Sequence, residues 1–411
     1  MKIRTIISLT TGLCITLFAF NLSLPMGLTT NRIAFFFIFT LLGLLIALRI
    51  NPFDLSHRSF YFFALTAYLL LIIVALSVFF APFPQFVGAL SLIRWLLIML
   101  IALIIWQLSY SMNSESEETL FHVLVLGATA LTLFTFYEVF KHAGISNINN
   151  FSVIRQTFMN NMGLNNYLAR LLTVNVFPIA IALGIVKTRG HIRILSVFTS
   201  VIFVYIVFSS GSRQNILAII VFTLVLYIMY KSFSYKPSYK EIIGIICILF
   251  IPFILLNYDI FQMYSWFERR FIDQTLTQIQ EGPGRLYLYK VAFDIIIQYP
   301  ILGVGPGVYR AITIAQPHNG FLLLGAELGI AAFALIVFAI FYLLIRSFKW
   351  RTNALKNGLK NLFIVSFSFA VTWLFITNTF NDMLEEYNFW IIIALMVTST
   401  EARSVIGKEK P

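Results

Sequence analysis

Long apolar runs recur along the whole chain, and they constrain its fold more than any other feature. Hydrophobic residues make up 59% of the 411 residues and charged residues only 11%. A helix needs about 20 apolar residues to cross roughly 30 Å of hydrocarbon, whereas the strands of a membrane barrel alternate over short segments. Because the runs are long and unbroken, the sequence predicts an all-α polytopic membrane protein.

About twelve of these runs are long enough to be transmembrane helices. The predicted spans cover residues 5–24, 33–49, 60–80, 86–109, 119–141, 166–186, 192–209, 214–230, 241–257, 319–345, 361–380 and 386–399. One long polar loop, residues 258–318, separates the ninth span from the tenth. Residues 1–411 are therefore interpreted as a single membrane domain with one extended loop.

Lysine and arginine gather on one side of the predicted bundle, and this indicates its orientation. Cytoplasmic loops of membrane proteins carry an excess of these residues. If the N-terminus is cytoplasmic, that side holds Lys2, Arg4, Arg49, Arg58, Lys187, Arg189, Arg193, Lys231, Lys236, Lys240, Arg346, Lys349, Arg351, Lys356, Lys360, Arg403, Lys408 and Lys410. Both termini are then predicted to be cytoplasmic, and the long loop to be extracytoplasmic.

The net charge of +12 is better explained by the membrane than by a nucleic-acid partner. Most basic residues lie at cytoplasmic loop ends, where they set the topology. The other side has Arg32, Lys141, Arg155, Arg213 and the five basic residues of the long loop, against this tendency. We therefore expect an anionic partner at the outer membrane face and no nucleic acid.

The long loop contains a helical segment that begins with an arginine. Gly-Pro-Gly at 282–284 interrupts the chain, and apolar residues then recur at helical spacing through residues 285–298. One side of this predicted amphipathic helix carries Leu286, Tyr289, Phe293 and Ile296. Arg285 lies in its first turn, a position that suits phosphate binding, although a solvated or snorkelling arginine is an equal alternative.

His318 is predicted to lie where the chain re-enters the membrane. It follows a glycine- and proline-rich stretch, residues 299–307, and directly precedes the next span. A helix N-terminus disfavours the charged imidazolium, so this side chain is suited to accept a proton near neutral pH. An ordinary capping or interfacial histidine remains the alternative.

Arg213 connects two predicted spans on the same outer side. Free backbone N–H groups at a helix start, together with a guanidinium, favour an anion. Arg213 and Arg285 are therefore expected to hold a pyrophosphate beside His318, through charge-assisted hydrogen bonds.

Three further charged residues fall inside predicted spans, namely Arg94, Glu138 and Arg170. Such groups usually face the interior of a bundle or a cavity. They are expected either to line a groove for lipid phosphate or, in the case of Arg94 and Glu138, to form a structural ion pair. The outer loop at residues 378–388, which includes Glu386, is interpreted as solvated.

The order of these motifs resembles the O-antigen ligase and polymerase superfamily. The resemblance rests on Gly-Ser-Arg ending at Arg213, Gly-Arg ending at Arg285, Leu-Gly-Val-Gly at 302–305, His-Asn at 318–319 and Glu-Leu-Gly at 327–329. It covers about residues 200–345 by motif, and Asn165 and Asn166 resemble a further polar patch of that family.

The resemblance implies an inverting, metal-independent glycosyltransferase of the GT-C kind on the periplasmic face of a bacterial inner membrane. The donor would be a glycan on undecaprenyl pyrophosphate, and the acceptor either lipid A core or another lipid-linked glycan. Arg213 and Arg285 would bind the pyrophosphate, and His318 would activate or orient the acceptor hydroxyl. Asn319, Asn165, Asn166 and Arg94 are possible supporting residues. Membrane lipids are the surrounding partners, and neither a cofactor nor a metal is implied.

The sequence favours a ligase over a polymerase by one pattern. Ligases often show His, then Asn, Ser or Gln, nine residues, Gly, two residues, and Gly, Thr or Tyr. Here His318 and Asn319 are followed by nine residues and Gly329, but Ala332 occupies the last place.

A transporter or flippase of a lipid-linked anion would explain the spans equally well. No repeated halves are visible in the sequence, however, and the polar residues gather on one loop rather than at the midplane.

Overall fold

The computed structural model describes residues 3–20, 30–47, 58–82, 86–110, 112–144, 153–157, 164–233, 285–313, 316–377 and 386–401. Every regular element within these ranges is a helix. In chain order the α-helices are α1 Ile3–Phe20, α2 Thr30–Ala47, α3 Arg58–Phe80, α4 Phe86–Ser109, α5 Ser114–Ala143, α6 Leu164–Ala182, α7 Gly190–Ser209, α8 Arg213–Lys231, α9 Arg285–Gln298, α10 Val308–Thr313, α11 Gly320–Lys349, α12 Arg351–Lys356, α13 Lys360–Thr372 and α14 Tyr387–Glu401. A π-helical turn, Trp373–Thr377, extends α13.

Six of the helices are long and apolar enough to cross a membrane. They are α3, α4, α5, α7, α8 and α11. Shorter apolar helices occur at α1, at α6 and at α13 with its π turn. The all-helical membrane class is thus confirmed, while the count of twelve spans stays a prediction because the ninth, 241–257, lies outside the described residues.

The short helix α14 is central to the packing of the bundle. Every residue from Asn388 to Thr400 is buried, and a helix that is apolar all round is expected in the interior. It packs mainly on α4 and α13. Other principal pairs are α1 with α5, α6 with α7, and α3 with α11.

Side-chain contacts divide the helix termini into two opposite ends. At one end Arg346 pairs with Glu401 at 3.0 Å, and Glu117 accepts a hydrogen bond from the Leu362 N–H. We call this the Glu401 end. At the other end the Ser77 hydroxyl reaches the loop after α9, and we call it the His318 end.

Helix α11 is interrupted by a backbone break at Gly329. Its 30 residues would extend about 45 Å at 1.5 Å per residue, well beyond the hydrocarbon thickness. At Gly329 φ is 82° and ψ is 174°, which is not helical. Residues 330–349 by themselves span roughly 30 Å. The preceding residues, 320–328, therefore form a separate arm, which carries His318 at its start.

The loop between α9 and α10 uses the backbone groups that this break leaves unpaired in the helix. The N–H of Val304 donates to Ala326 O at 3.0 Å, and the N–H of Gly305 donates to Glu327 O at 3.0 Å. In the other direction, the N–H of Ile330 donates to Pro300 O at 2.8 Å. The arm is thus fixed to the loop by backbone hydrogen bonds.

Gly329→Ala is expected to destabilise the protein by on the order of 2 kcal/mol. Alanine disfavours the positive φ, and its Cβ would collide with the Ile301 carbonyl. The apparent thermal midpoint of purified protein in detergent measures the loss. Gly190→Ala is the control, since an added Cβ there meets nothing within 4 Å. Equal midpoints for the two variants would contradict the proposed role of the break.

The face through which helix α9 packs differs from the predicted one, which was formed by Leu286, Tyr289, Phe293 and Ile296. Leu288, Ala292 and Ile295 are buried, whereas Phe293 is 53% exposed. Apart from the side that carries Lys290, Asp294 and Gln298, the segment is apolar, so its spacing fits more than one face. Contacts with α11 and α10 select the one that packs.

Candidate functional site

His318 has an unusual backbone conformation. Its φ is 52°, and within the described ranges it is the one residue other than glycine with a positive φ. The left-handed region is uncommon for side-chain-bearing residues and is found mainly where the surrounding structure enforces it, often at functional sites. The side chain is partly buried. The strain singles out His318 on grounds independent of its chemistry.

Asn319 caps the arm that His318 begins. Its Oδ1 accepts hydrogen bonds from the N–H groups of Phe321 and Leu322, each at 3.0 Å. This is an ordinary N-cap arrangement, which satisfies two of the open donors of the helix start. The geometry therefore gives Asn319 a structural task, fixing the direction in which α11 leaves His318.

Glu327 holds the other side of the arm. It is 5% exposed, and its carboxylate accepts from the N–H of Gly307 at 2.8 Å and from the N–H of Tyr309 at 3.3 Å. The carboxylate thus lies at the N-terminus of α10, where the helix dipole favours negative charge. Glu327 ties the arm to α10 and so helps to position His318.

Tyr309 links α10 to α9. Its hydroxyl donates to Leu288 O at 2.6 Å, and burial raises the pKa of Tyr309 to about 12, so it remains a neutral donor at physiological pH. Helix α9 also packs directly on α11. Arg285, the first residue of α9, therefore belongs to the same structural unit as His318, although its side chain lies outside the described residues.

A second cationic group accompanies Arg213. The Arg155 Nη1 donates to Ser210 O at 3.0 Å and to Gly211 O at 3.4 Å, in the turn that precedes α8. Burial, and then the charge of Arg213, lower the pKa of Arg155. Two guanidinium groups therefore lie near one helix start. The sequence placed Arg155 on this side but did not pair it with Arg213, because the two are far apart in the chain.

Glu386 forms ion pairs with two arginines, and these contacts correct two predictions. Arg170 makes a bidentate contact with its carboxylate at 2.7 and 3.2 Å, and Arg94 lies 3.8 Å from it. The alternative that paired Arg94 with Glu138 is wrong, because Glu138 pairs with Lys141 and His142. The solvated interpretation of the outer loop is also wrong for Glu386, which is 9% exposed.

Asn165 and Asn166 lie in the first turn of α6, and their side chains are outside what the structure describes. One residue later, the Tyr167 hydroxyl is hydrogen-bonded to Thr135 at 2.7 Å. The asparagines are therefore placed at the His318 end by the backbone alone. Within the described residues, no group of three or more His, Cys, Asp or Glu side chains is arranged to hold a metal ion.

The predicted site residues share one end of the bundle but belong to different packing units. His318 and Arg285 start helices that pack on each other, while α8 with Arg213 packs mainly on α13, α6 and the π turn. Arg94 and Arg170 meet at Glu386. The single diphosphate held by both Arg213 and Arg285 therefore stays a prediction.

Glu386→Gln is expected to cost on the order of 3 kcal/mol of stability, because it leaves the mostly buried Arg170 without its carboxylate. Glu118→Gln is the matched control, since Glu118 is 47% exposed and its partner Arg189 is 70% exposed. The thermal midpoints of the two purified variants give the comparison. Similar small losses in both would show that the Glu386 contacts contribute little to stability.

Comparison with known proteins bears on the segment that contains these residues. The sequence profile of the family described as O-antigen ligase matches residues 198–337, which include Arg213, Arg285 and His318. No curated protein matches the chain. Residues 198–337 are therefore similar to the O-antigen ligase family, and this similarity supports the predicted resemblance to the O-antigen ligase and polymerase superfamily.

Proposed function

We propose that the protein is an inner-membrane glycosyltransferase that moves a glycan from undecaprenyl pyrophosphate to an acceptor sugar at the periplasmic face. The acceptor proposed is lipid A core, which makes the protein an O-antigen ligase in lipopolysaccharide biosynthesis. The observation that carries the proposal is the O-antigen ligase segment at 198–337, because it contains both arginines and the histidine that the chemistry needs. The positive φ of His318 supports its selection within that segment.

The distribution of basic residues supports a periplasmic site. The Glu401 end carries Lys187, Arg189, Arg193, Lys231, Arg346, Lys349, Arg351, Lys356 and Lys360. An excess of lysine and arginine in the loops is typical of the cytoplasmic side. The His318 end is then periplasmic. Helix α1 starts at the Glu401 end and α14 finishes there, in agreement with two cytoplasmic termini.

The proposed reaction is a single displacement. The oxygen of the acceptor hydroxyl attacks the anomeric carbon of the donor sugar, and the bond from that carbon to the phosphate oxygen breaks, so the configuration inverts. His318 takes the hydroxyl proton, and Arg213 and Arg285 stabilise the negative charge that grows on the departing pyrophosphate. The two guanidinium groups supply the charge that a metal ion would otherwise provide, so metal independence belongs to the proposal.

The polymerase is the second candidate function. The pattern His318, Asn319, Gly329 favours a ligase, whereas Ala332 departs from it. The two activities share a donor and differ in acceptor, so an assay that offers each acceptor separately distinguishes them.

His318→Ala is expected to lower the transfer rate by at least about 100-fold while the protein level is unchanged, because general-base catalysis contributes at least that factor. Purified protein is given a lipid-pyrophosphate glycan with either lipid A core or further donor, in the presence of a chelator, and the growing product is measured. His142→Ala is the control, since His142 is 45% exposed and pairs with Glu138 at the same end. Full activity of His318→Ala would refute the assignment. Growth of the donor chain alone would indicate a polymerase.

Arg213→Lys and Arg285→Lys are each expected to lower transfer at least about tenfold, because lysine keeps the charge but loses the bidentate fork. Arg193→Lys, an exposed arginine of α7 at the Glu401 end, should leave transfer unchanged. Steady-state rates at saturating and limiting donor separate a binding defect from a loss of leaving-group stabilisation. Normal kinetics in both test variants would remove the arginines from the pyrophosphate site.

A further inference from the structure

The first turn of α8 contains buried amide groups with unmade hydrogen bonds. Gln214 is 8% exposed, and among the described residues neither its Nε2 nor its Oε1 has a hydrogen-bond partner. Asn215 is 1% exposed, and its Oδ1 is likewise unpartnered within the described ranges, although its Nδ2 donates to Ser212 Oγ at 2.8 Å. Three amide atoms of these two adjacent side chains thus lack a hydrogen-bond partner within the described residues.

Such groups are costly in a folded protein. Buried polar side chains are nearly always hydrogen-bonded, and an unmade bond costs the full desolvation of the group. An apolar residue would stabilise α8 better if packing were the only task at position 214. The carboxamide is therefore explained more simply by a molecule that satisfies it when bound.

The surroundings of Gln214 indicate what that molecule is. Arg213 precedes it in the chain, and Arg155 is anchored on the turn just before α8. The helix start adds backbone N–H groups. A strongly anionic group beside a neutral group with several hydroxyls would match this combination. A sugar joined to a diphosphate has both parts next to each other.

We propose that Gln214, with Asn215, hydrogen-bonds the first sugar of the lipid-linked donor, the one bonded to the diphosphate, and that Arg155 shares the diphosphate with Arg213. This inference rests on the proposed function and adds two binding residues to it. A carboxamide offers a donor and an acceptor together, which suits a hydroxyl pair or the acetamido group of an N-acetylhexosamine. Gln214 thus becomes a specificity-determining residue for the donor.

The test measures binding of two probes to the purified full-length protein. One probe is undecaprenyl diphosphate, and the other is undecaprenyl diphosphate that bears a single N-acetylhexosamine. Gln214→Met should weaken the sugar-bearing probe about tenfold and leave the bare diphosphate unchanged, since hydrogen bonds to the sugar alone are lost. Arg155→Gln should weaken both probes at least about tenfold, because it removes a charged contact to phosphate.

Two controls separate binding from folding. Lys141→Gln removes an equal charge at the same end, where Lys141 is 52% exposed and paired with Glu138, and it should change neither affinity. The thermal midpoint of ligand-free Gln214→Met, or of Gln214→Leu as a second variant, should equal or exceed that of the wild type, because an unsatisfied buried amide is removed. A lower midpoint in both variants would show a structural role and overturn the inference.

The remaining outcomes distinguish failure of this inference from failure of the proposed function. If the wild type transfers glycan and the Gln214 variants bind both probes as it does, the donor-sugar inference fails while the proposed function stands. If the wild type binds neither probe and transfers nothing, the proposed function fails, and this inference fails with it. An unchanged affinity of Arg155→Gln for the bare diphosphate would remove Arg155 from the site.

Discussion

The break in α11 at Gly329 is the constraint on which the rest of the His318 end depends. A continuous helix would keep the carbonyls of Ala326 and Glu327 for itself. The break releases them to the loop after α9, and the N–H of Ile330 returns a bond to Pro300. Ser77 of α3 adds hydrogen bonds to Leu302 O at 2.7 Å and Glu327 O at 3.1 Å. The backbone conformation at Gly329 thus allows hydrogen bonds that connect α3, the mostly buried loop after α9 and the arm with His318.

Electrostatic balance differs between the cationic groups at this end. Arg170 has its charge compensated by Glu386 at 2.7 Å, which gives it a mainly structural part. Arg155 and Arg213 instead lie near one another, and the contacts of Arg155 within the described residues are to the carbonyl oxygens of Ser210 and Gly211. Bringing like charges together is unfavourable unless an anion compensates them. Among the described contacts, Arg170 thus differs from Arg155 in having a carboxylate partner.

The sequence was sufficient for the membrane class and for most helix positions, because long apolar runs leave few other structures. It also singled out Arg213 and Arg285, as basic residues outside the expected side of the membrane, and His318, as a histidine at a helix start, and their roles stay predictions. The sequence did not predict ion pairs between residues that are distant in the chain. The Glu386 partners lie more than 200 residues away in the chain, and no local pattern encodes them. The packing face of α9 was missed because apolar residues cover most of its circumference, so their spacing fits more than one face. Ala332, the residue that departs from the ligase pattern, is fully buried, so packing dictates its identity.

The fixed arm also bears on how an acceptor reaches the imidazole. The arm is joined to the loop after α9 by backbone hydrogen bonds in both directions, so it cannot move away without breaking several of them together. In the proposed reaction, His318 would therefore stay in place during substrate binding and product release. If the proposed function holds, acceptors of differing size would have to be accommodated by the acceptor itself and by the neighbouring segments, and not by movement of this arm.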